Sequence, residues 1–191
     1  MNNIAGTCTE INLLRAFAGE SQARNRYTFF ASRARKEGFM QIADIFAETA
    51  DHEKEHAERF FSYLNGGEVE IRASFPAGVV GTTAENLAAA AAGEYDEWNN
   101  LYPGFAETAR DEGFNDIARC FEYICVSERQ HERRYRGLLK NITSGSVFAR
   151  EREVMWRCRN CGYLHFGRNV PELCPACRHD KGYFELLAEN W

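Results

Sequence analysis

The chain has 191 residues, of which 45% are hydrophobic and 27% charged, and its formal net charge is −5. This composition allows a packed core in one or two domains, and the acidic balance gives no reason to expect nucleic acid or an anionic membrane as a partner. Residues 1–13 lack the basic and apolar regions of a secretory signal, and the most apolar stretch, 87–92, is far shorter than a membrane span. The sequence therefore predicts a soluble cytoplasmic protein.

Four amphipathic helices are predicted next, because apolar residues recur with the 3.6-residue period of an α-helix. Their expected ranges are about 10–36, 40–64, 83–111 and 115–141. Gly38 and Gly113 are expected to end the first and third helices, since glycine commonly follows the last residue of a helix. Segment 68–82 is too long for a tight turn, so it indicates a long crossover between the second and third helices of a four-helix bundle.

The two helix pairs are related by an internal repeat. The triplet Glu-Gly-Phe at 37–39 recurs at 112–114, an offset of 75 residues, whereas the pair Gly-Glu at 19–20 recurs at 93–94, an offset of 74. The third helix therefore contains one additional residue between these landmarks, and Pro103 lies in the same interval. A single insertion beside a proline predicts a π-bulge or a kink.

Four glutamates lie on the apolar stripes of the four predicted helices, where an unpaired carboxylate is unfavourable. They are Glu20, Glu53, Glu94 and Glu128. Burying one ionised group without a partner costs several kcal/mol or more, so four converging carboxylates would open the bundle. Two cations between the helices would remove this repulsion.

Two of these glutamates begin Glu-x-x-His motifs, which end at His56 and His131 and place a carboxylate and an imidazole on one helix face. One such motif is common on solvated helices, but two in register within a repeat match the di-iron or di-manganese pattern of four-helix bundles. These ligands suit iron or manganese, and zinc can also occupy such sites. Glu97 follows Glu94 by one turn without a counterpart in the repeat, and is a further candidate ligand or a surface residue.

Neighbouring residues are less sharply defined by the sequence. Tyr27 and Tyr102 are candidates for hydrogen bonds to liganding carboxylates, although aromatic core residues would fit the same positions. His52 precedes Glu53 directly, so it is expected to point away from the ligand face and to lie at the surface. Three cysteines outside any motif are expected to be small buried apolar residues, the first less clearly than the others: Cys8, Cys120 and Cys125.

The segment after residue 144 loses the helical period and is too small to fold by apolar burial alone. It contains two Cys-x-x-Cys pairs, formed by Cys158, Cys161, Cys174 and Cys177. Such pairs place four thiolates around zinc or a single iron, and in a chain without a secretory signal this spacing favours a metal over disulfides. Trp156 and other aromatic residues around the pairs resemble rubredoxin and favour iron, while structural zinc stays open.

Along nearly its whole length the chain resembles rubrerythrins. The matching segments are AFAGESQARNRY at 16–27, IFAETA at 45–50, FPAG at 75–78, WRCRNCGY at 156–163, PELCPAC at 171–177 and the final NW. The resemblance implies a ferritin-like bundle over 1–147 and a rubredoxin-like domain over 148–191, assembled as a homodimer. Arg178 departs from the pattern, because glycine often follows the last cysteine.

The resemblance also implies an activity, the reduction of hydrogen peroxide to water in oxidative-stress defence. Two iron ions would lie in the bundle and one in the four-cysteine domain, which would pass electrons to the di-iron pair. Every di-iron ligand of the family has a counterpart here: Glu20, Glu53, His56, Glu94, Glu97, Glu128 and His131. One iron would exchange Glu97 for His56 on reduction. Electrons would come from NAD(P)H through a separate reductase or small redox carrier, since the chain has no GxGxxG motif.

Three other functions are compatible with parts of the pattern. A ferritin-like ferroxidase or iron-handling protein with a structural zinc site would use the bundle, as would a manganese catalase. The four-cysteine site argues against both, because neither storage nor catalase chemistry needs an electron entry point. A zinc-stabilised interaction module on a metal-sensing bundle is the non-catalytic alternative.

Overall fold

The structure is a computed structural model that describes residues 3–191, and its larger part is a bundle of four helical rods. The rods are α1 (Cys8–Lys36), α2 (Met40–Phe61), a third rod made of α3 (Thr83–Asp96), a π-helical segment (Glu97–Leu101) and α4 (Tyr102–Asp111), and finally α5 (Asn115–Thr143). The mainly α, ferritin-like fold is confirmed, and the predicted ends of the rods agree to within three residues. Across residues 3–191, no helix combines the length and apolar character that crossing a bilayer requires.

The repeated Glu-Gly-Phe triplets form the same turn in both halves of the bundle. Gly38 and Gly113 have φ of 80° and 85°, the left-handed region that glycine adopts without strain. The next amides donate back to the preceding helix, Phe39 to Ala34 at 2.9 Å and Phe114 to Ala109 at 2.7 Å. This is the Schellman arrangement, which satisfies carbonyl groups at a helix end. Two antiparallel helix pairs result.

The third rod contains the irregularity that the sequence predicts. Residues 97–101 form a π-helical segment in the rod, which confirms the prediction of a π-bulge. The wider turn absorbs the additional residue, so that Leu87 before it and Tyr102 after it are both fully buried in the bundle. Pro103 stands at the start of α4, where a missing amide hydrogen is tolerated.

A crossover joins α2 to α3 along the side of the bundle. Residues 64–82 have no regular secondary structure and are mostly exposed. Thr82 caps α3 through a reciprocal pair of hydrogen bonds with Glu85, and Glu37 at the end of α1 accepts a hydrogen bond from the Thr83 amide at 2.9 Å. The crossover therefore runs from one end of the bundle to the other, as its length predicts.

Two apolar clusters fill the bundle, and a polar layer lies between them. One cluster is built around Tyr27, Phe46 and Tyr135, and the other around Phe60 and Phe121. The four glutamates of the repeat are buried in the layer between these clusters. The helices thus enclose ionisable groups where apolar side chains would otherwise meet.

The C-terminal part is a three-stranded antiparallel sheet with strand order β2-β1-β3. Its strands are β1 (Ala149–Cys158), β2 (Leu164–Asn169) and β3 (Phe184–Leu186). This sheet contacts the start of α2 in the same chain. The Phe148 ring stacks on Phe39 with centroids 6.0 Å apart, and Arg159 pairs with Asp44 at 2.8 Å.

Candidate metal centres

Two sets of potential ligands meet in the polar layer and share two glutamates. The first set is Glu20, Glu53, His56 and Glu128, and the second is Glu53, Glu94, Glu128 and His131. Within each set, one nitrogen or oxygen atom of every residue lies within 4.8 Å of the others. Two adjacent positions with two shared carboxylates are the geometry expected for a carboxylate-bridged pair of metal ions.

The imidazoles face the carboxylates at close range. His131 Nδ1 lies 2.7 Å from Glu128, 3.3 Å from Glu53 and 3.4 Å from Glu94. His56 Nδ1 lies 2.8 Å from Glu128, 3.0 Å from Glu53 and 4.0 Å from Glu20. Each nitrogen therefore approaches three carboxylates, which is more than one N–H group can satisfy.

Several of these atoms lack a hydrogen-bond partner within residues 3–191 although they are buried. They are Glu20 Oε2, Glu53 Oε1, Glu94 Oε2, both carboxylate oxygens of Glu128, and His131 Nδ1. Leaving so many buried polar atoms without partners is costly, and each such group in a native protein needs an explanation. Metal ions at the two positions would satisfy all of them, so the residues present fit a pair of cations.

The electrostatics of the metal-free layer support the same conclusion. Burial, with the charges of Glu128, Glu97 and Glu53, raises the pKa of Glu20 well above its usual value. Burial and the charge of Glu53 likewise raise the pKa of Glu94. Protons therefore take the place of cations when no metal is bound, and metal binding must displace them.

Two tyrosines hold the carboxylates that lie outside the Glu-x-x-His motifs. The Tyr27 hydroxyl donates a hydrogen bond to Glu94, and the Tyr102 hydroxyl donates one to Glu20. Both tyrosines are fully buried. Each pair joins α1 to the third rod, so the hydrogen bonds fix two potential ligands across the bundle.

Glu97 is the one predicted ligand that neither set includes. It is half-buried on the π-helical segment, and burial together with the charges of Glu94 and Glu128 raises its pKa well above the usual value. Glu97 is thus within electrostatic reach of the layer but outside its closest group. His56 occupies the first set instead.

His52 corrects an expectation from the sequence. It is half-buried rather than on the surface, and its Nδ1 lies 3.1 Å from His131 Nε2 with the two rings stacked. The spacing of His52 from Thr49 and His56 was the available signal, since residues three and four apart share a helix face. His131 Nδ1 faces the carboxylates, so His52 contacts the opposite side of the same ring. The three other cysteines differ from one another, because Cys120 is buried, Cys125 is half-buried and Cys8 is exposed.

The four cysteines of the sheet form a second compact group. The Sγ atoms of Cys158 and Cys177 are 3.8 Å apart, and those of Cys161 and Cys174 are 3.7 Å apart. A disulfide needs about 2.05 Å, whereas a tetrahedron with metal–sulfur bonds of about 2.3 Å has edges of about 3.8 Å. The group therefore fits one tetrahedral metal ion.

Two similar turns present these thiolates. The Gly162 amide donates to the Cys158 carbonyl at 2.8 Å, and the Arg178 amide donates to the Cys174 carbonyl at 2.9 Å. Gly162 has φ of 78° and Arg178 has φ of 64°, so the arginine adopts the left-handed conformation that glycine adopts in the first turn. Arg178 therefore replaces the glycine of the family pattern without changing the turn.

Comparison with known proteins is consistent in both parts of the chain. The family model described as rubrerythrin matches residues 12–139, and that described as the rubrerythrin rubredoxin-like domain matches residues 156–185. The chain is 60% identical over 189 residues to the rubrerythrin of Porphyromonas gingivalis, covering 99% of this chain and 94% of that protein. It is 56% identical over 191 residues to the rubrerythrin of Nitratidesulfovibrio vulgaris, with both chains covered completely.

Two solved structures resemble this chain at lower sequence identity. Fully reduced, all-ferrous nigerythrin superposes with a TM-score of 0.64 at 31% identity, covering 97% of this chain and 92% of that one. A bacterioferritin from Desulfovibrio desulfuricans superposes with a TM-score of 0.63 at 22% identity, covering 72% of this chain and 81% of the other, a likeness of fold alone.

Proposed function

The chain belongs to the rubrerythrin family, and on this premise we propose that it is a non-haem di-iron peroxidase that reduces hydrogen peroxide to water. The observation that carries this proposal is the combination of two ligand sets sharing Glu53 and Glu128 with a four-cysteine site in the same chain. Storage or structural roles would need only one of these features. The proposed role is defence against oxidative stress in the cytoplasm.

The ligand sets indicate how the bundle would hold iron. Glu20 and His56 would bind one ion, Glu94 and His131 the other, and Glu53 and Glu128 would bridge them. When bound, such a pair supplies two electrons and polarises the oxygens of the substrate. Glu97 would replace His56 when the nearby ion is oxidised, because a more highly charged ion favours an additional anionic ligand.

Side chains of this chain would position the ligands and supply a proton. Tyr27 and Tyr102 donate to Glu94 and Glu20, which fixes the orientation of both carboxylates. Glu97 is half-buried, and burial raises its pKa, so its carboxyl can hold a proton whenever it is not a ligand. We assign Glu97 as the group that protonates a departing oxygen, since reduction of hydrogen peroxide to two waters consumes two electrons and two protons.

The four-cysteine domain would supply the electrons one at a time. Cys158, Cys161, Cys174 and Cys177 would hold one iron, which changes valence without changing its ligands. The surrounding core, which includes Trp156 and Phe184, limits contact with water. An external reductase that uses NAD(P)H, or a small redox carrier, would reduce this iron. The assembly would be a homodimer.

Optical spectra and turnover of the iron-loaded protein test this proposal. We expect thiolate-to-ferric bands in the visible spectrum and consumption of NAD(P)H on addition of hydrogen peroxide when a reductase is present. The variant Cys158→Ser with Cys161→Ser should keep the di-iron centre and lose turnover. A colourless zinc protein that oxidises and accumulates ferrous iron would instead identify a ferroxidase with a structural zinc site.

A further inference from the structure

A cavity of about 810 Å³ lies beside the polar layer, between α1, the crossover and the π-helical segment. Its lining includes Glu97 and Tyr102, and the Tyr102 hydroxyl is bonded to Glu20. Tyr102 therefore lies between this cavity and the ligand set that contains Glu20. A molecule bound in the cavity would lie next to the proposed di-iron centre.

The cavity is lined by a cationic side chain and by a carboxyl group. Arg26 and Glu97 both contribute to its wall. A bound molecule can thus meet a donor and a carboxyl group together.

Part of the cavity wall is apolar, and the cavity is larger than hydrogen peroxide needs. Ile71, Phe75, Leu101 and Phe105 contribute to its walls, and charged residues such as Arg15 also line it. A water molecule occupies about 30 Å³ in the liquid, whereas sites for small organic molecules span about 300–1,000 Å³. The volume therefore matches a small organic molecule and exceeds what hydrogen peroxide needs.

Two glycines keep this space open. Gly19 and Gly93 line the cavity directly before Glu20 and Glu94. A Cβ at Gly19 would lie 3.5 Å from the Phe75 ring, and one at Gly93 would lie 3.7 Å from the Arg26 guanidinium. Any side chain larger than a methyl group would enter the cavity. The two glycines keep the space open even though glycine inside a helix costs about 1 kcal/mol relative to alanine.

We propose that this cavity binds alkyl and aryl hydroperoxides, with the hydroperoxide group at Glu97 and Arg26 and the organic group against Phe75 and Leu101. This inference rests on the proposed peroxidase function and extends its substrate class. The O–O bond breaks, two electrons come from the reduced iron pair, and two protons are taken up from solvent. The terminal oxygen leaves as water and the carbon-bound oxygen as an alcohol.

The test compares two substrates in the iron-loaded protein with its electron donor. We expect turnover of both cumene hydroperoxide and hydrogen peroxide in the wild type. Phe75→Ala should lower the ratio of kcat/KM for cumene hydroperoxide to that for hydrogen peroxide by about fivefold or more, because an aromatic contact is lost. Val79→Ala is the matched control, since Val79 is 89% exposed on the same crossover, and it should leave the ratio unchanged.

Binding of cumyl alcohol, the product of cumene hydroperoxide, gives a readout that is independent of turnover. Saturation-transfer NMR should detect it on the wild type and the Val79→Ala variant, and only weakly on Phe75→Ala. Turnover of hydrogen peroxide alone, without alcohol binding, would overturn this inference and leave the peroxidase proposal intact. An unchanged ratio in Phe75→Ala would also overturn it. Absence of turnover with either peroxide, in protein whose spectrum shows both iron sites, would instead refute the peroxidase proposal and this extension together.

Discussion

At the scale of single residues, the buried carboxylates are the feature that most needs explanation. Four glutamates that repel each other occupy positions where apolar side chains would stabilise the bundle. Several of their oxygens, and Nδ1 of His131, lack a hydrogen-bond partner within residues 3–191, so the layer is complete only with cations. The stability of the protein should therefore depend on metal and, without metal, on protons.

The first prediction concerns the metal-free protein, whose free energy of unfolding should fall as pH rises from about 5.5 to 8.5. Burial and neighbouring charges raise the folded-state pKa of Glu20 and Glu94, so above about pH 4.5 the unfolded chain releases protons that the folded chain keeps. His56 acts in the same direction above about pH 6.5, because, despite burial, contacts with Glu128 and Glu53 raise its pKa to about 10. Circular dichroism of the helices should show a lower Tm at the higher pH.

A paired variant controls for other titrating groups. Glu20→Gln with Glu94→Gln removes two of these carboxyl groups and should flatten the dependence of Tm on pH in the metal-free protein. Iron-loaded wild type should show little dependence over the same range. A Tm that rises with pH in the metal-free wild type would mean that the carboxylates are ionised in the folded state.

The second prediction concerns Glu97, the candidate ligand without a counterpart in the repeat. Glu97→Ala should keep three metal ions per chain, two in the bundle and one at the four cysteines, because both ligand sets of the bundle are complete without it. Turnover with peroxide should fall by about 100-fold or more, since the variant loses the proposed proton donor and exchangeable ligand. Metal analysis and steady-state kinetics measure the two effects. Loss of one whole metal ion would show that Glu97 is a permanent ligand.

At the scale of elements, the third rod shows how one inserted residue serves the site. Its two α-helical parts must bury Leu87 on one side of the polar layer and Tyr102 on the other. One residue corresponds to about 100° of rotation in an α-helix, so a regular helix of the same length would turn one of these faces outward. The π-helical segment corrects the register and carries Glu97.

The third prediction follows from this register. Deleting Asn99, an exposed residue of the π-helical segment, should convert the segment to α-helix and rotate Tyr102 away from Glu20. We expect fewer than two iron ions in the bundle of the deletion variant, and hence fewer than three per chain. Asn99→Ala, which keeps the chain length, should bind two iron ions in the bundle and three per chain. Full metal content and turnover in the deletion variant would show that the register is set elsewhere.

The helical elements and the ligand sets could largely be predicted from the sequence. Helix ends and the π-helical segment follow from local rules, since glycine turns, apolar periods and a one-residue offset are visible along the chain. The ligand sets follow from two motifs in register. The contact between His52 and His131 and the cavity beside Glu97 could not be predicted, because each depends on side chains brought together by distant elements.

At the scale of the whole molecule, the four-cysteine domain is fixed to the start of α2 in its own chain. Phe148 stacks on Phe39, Arg159 pairs with Asp44, and the backbone at Gly182 approaches Gly38 too closely to admit a Cβ. Along α2, the nine helical steps from Asp44 to Glu53 span about 13.5 Å. We propose a domain boundary at residues 147–148, directly before β1.

The distance between the four-cysteine domain and the di-iron ligands of its own chain leads to the fourth prediction. We expect the four-cysteine iron of one chain to serve the di-iron centre of its partner in a homodimer. Electron transfer slows steeply with distance, and the route within one chain includes the α2 span and the Arg159–Asp44 contact. Two inactive variants test the prediction: Glu53→Ala with Glu128→Ala, and Cys158→Ser with Cys161→Ser. Activity should partly return after subunit exchange. Mixed dimers without activity would show that transfer occurs within one chain.

The central claim, that the four-cysteine iron supplies electrons to a peroxide-reducing di-iron centre, is tested most directly by rapid mixing. Fully reduced protein is mixed with excess hydrogen peroxide while the thiolate-to-ferric absorption is followed. In wild type we expect this absorption to appear quickly, because the di-iron centre draws electrons from the four-cysteine iron. In Glu53→Ala with Glu128→Ala, which keeps all four cysteines, the absorption should appear far more slowly. Equal rates in the two proteins would mean that peroxide oxidises the four-cysteine iron directly, which would contradict the account.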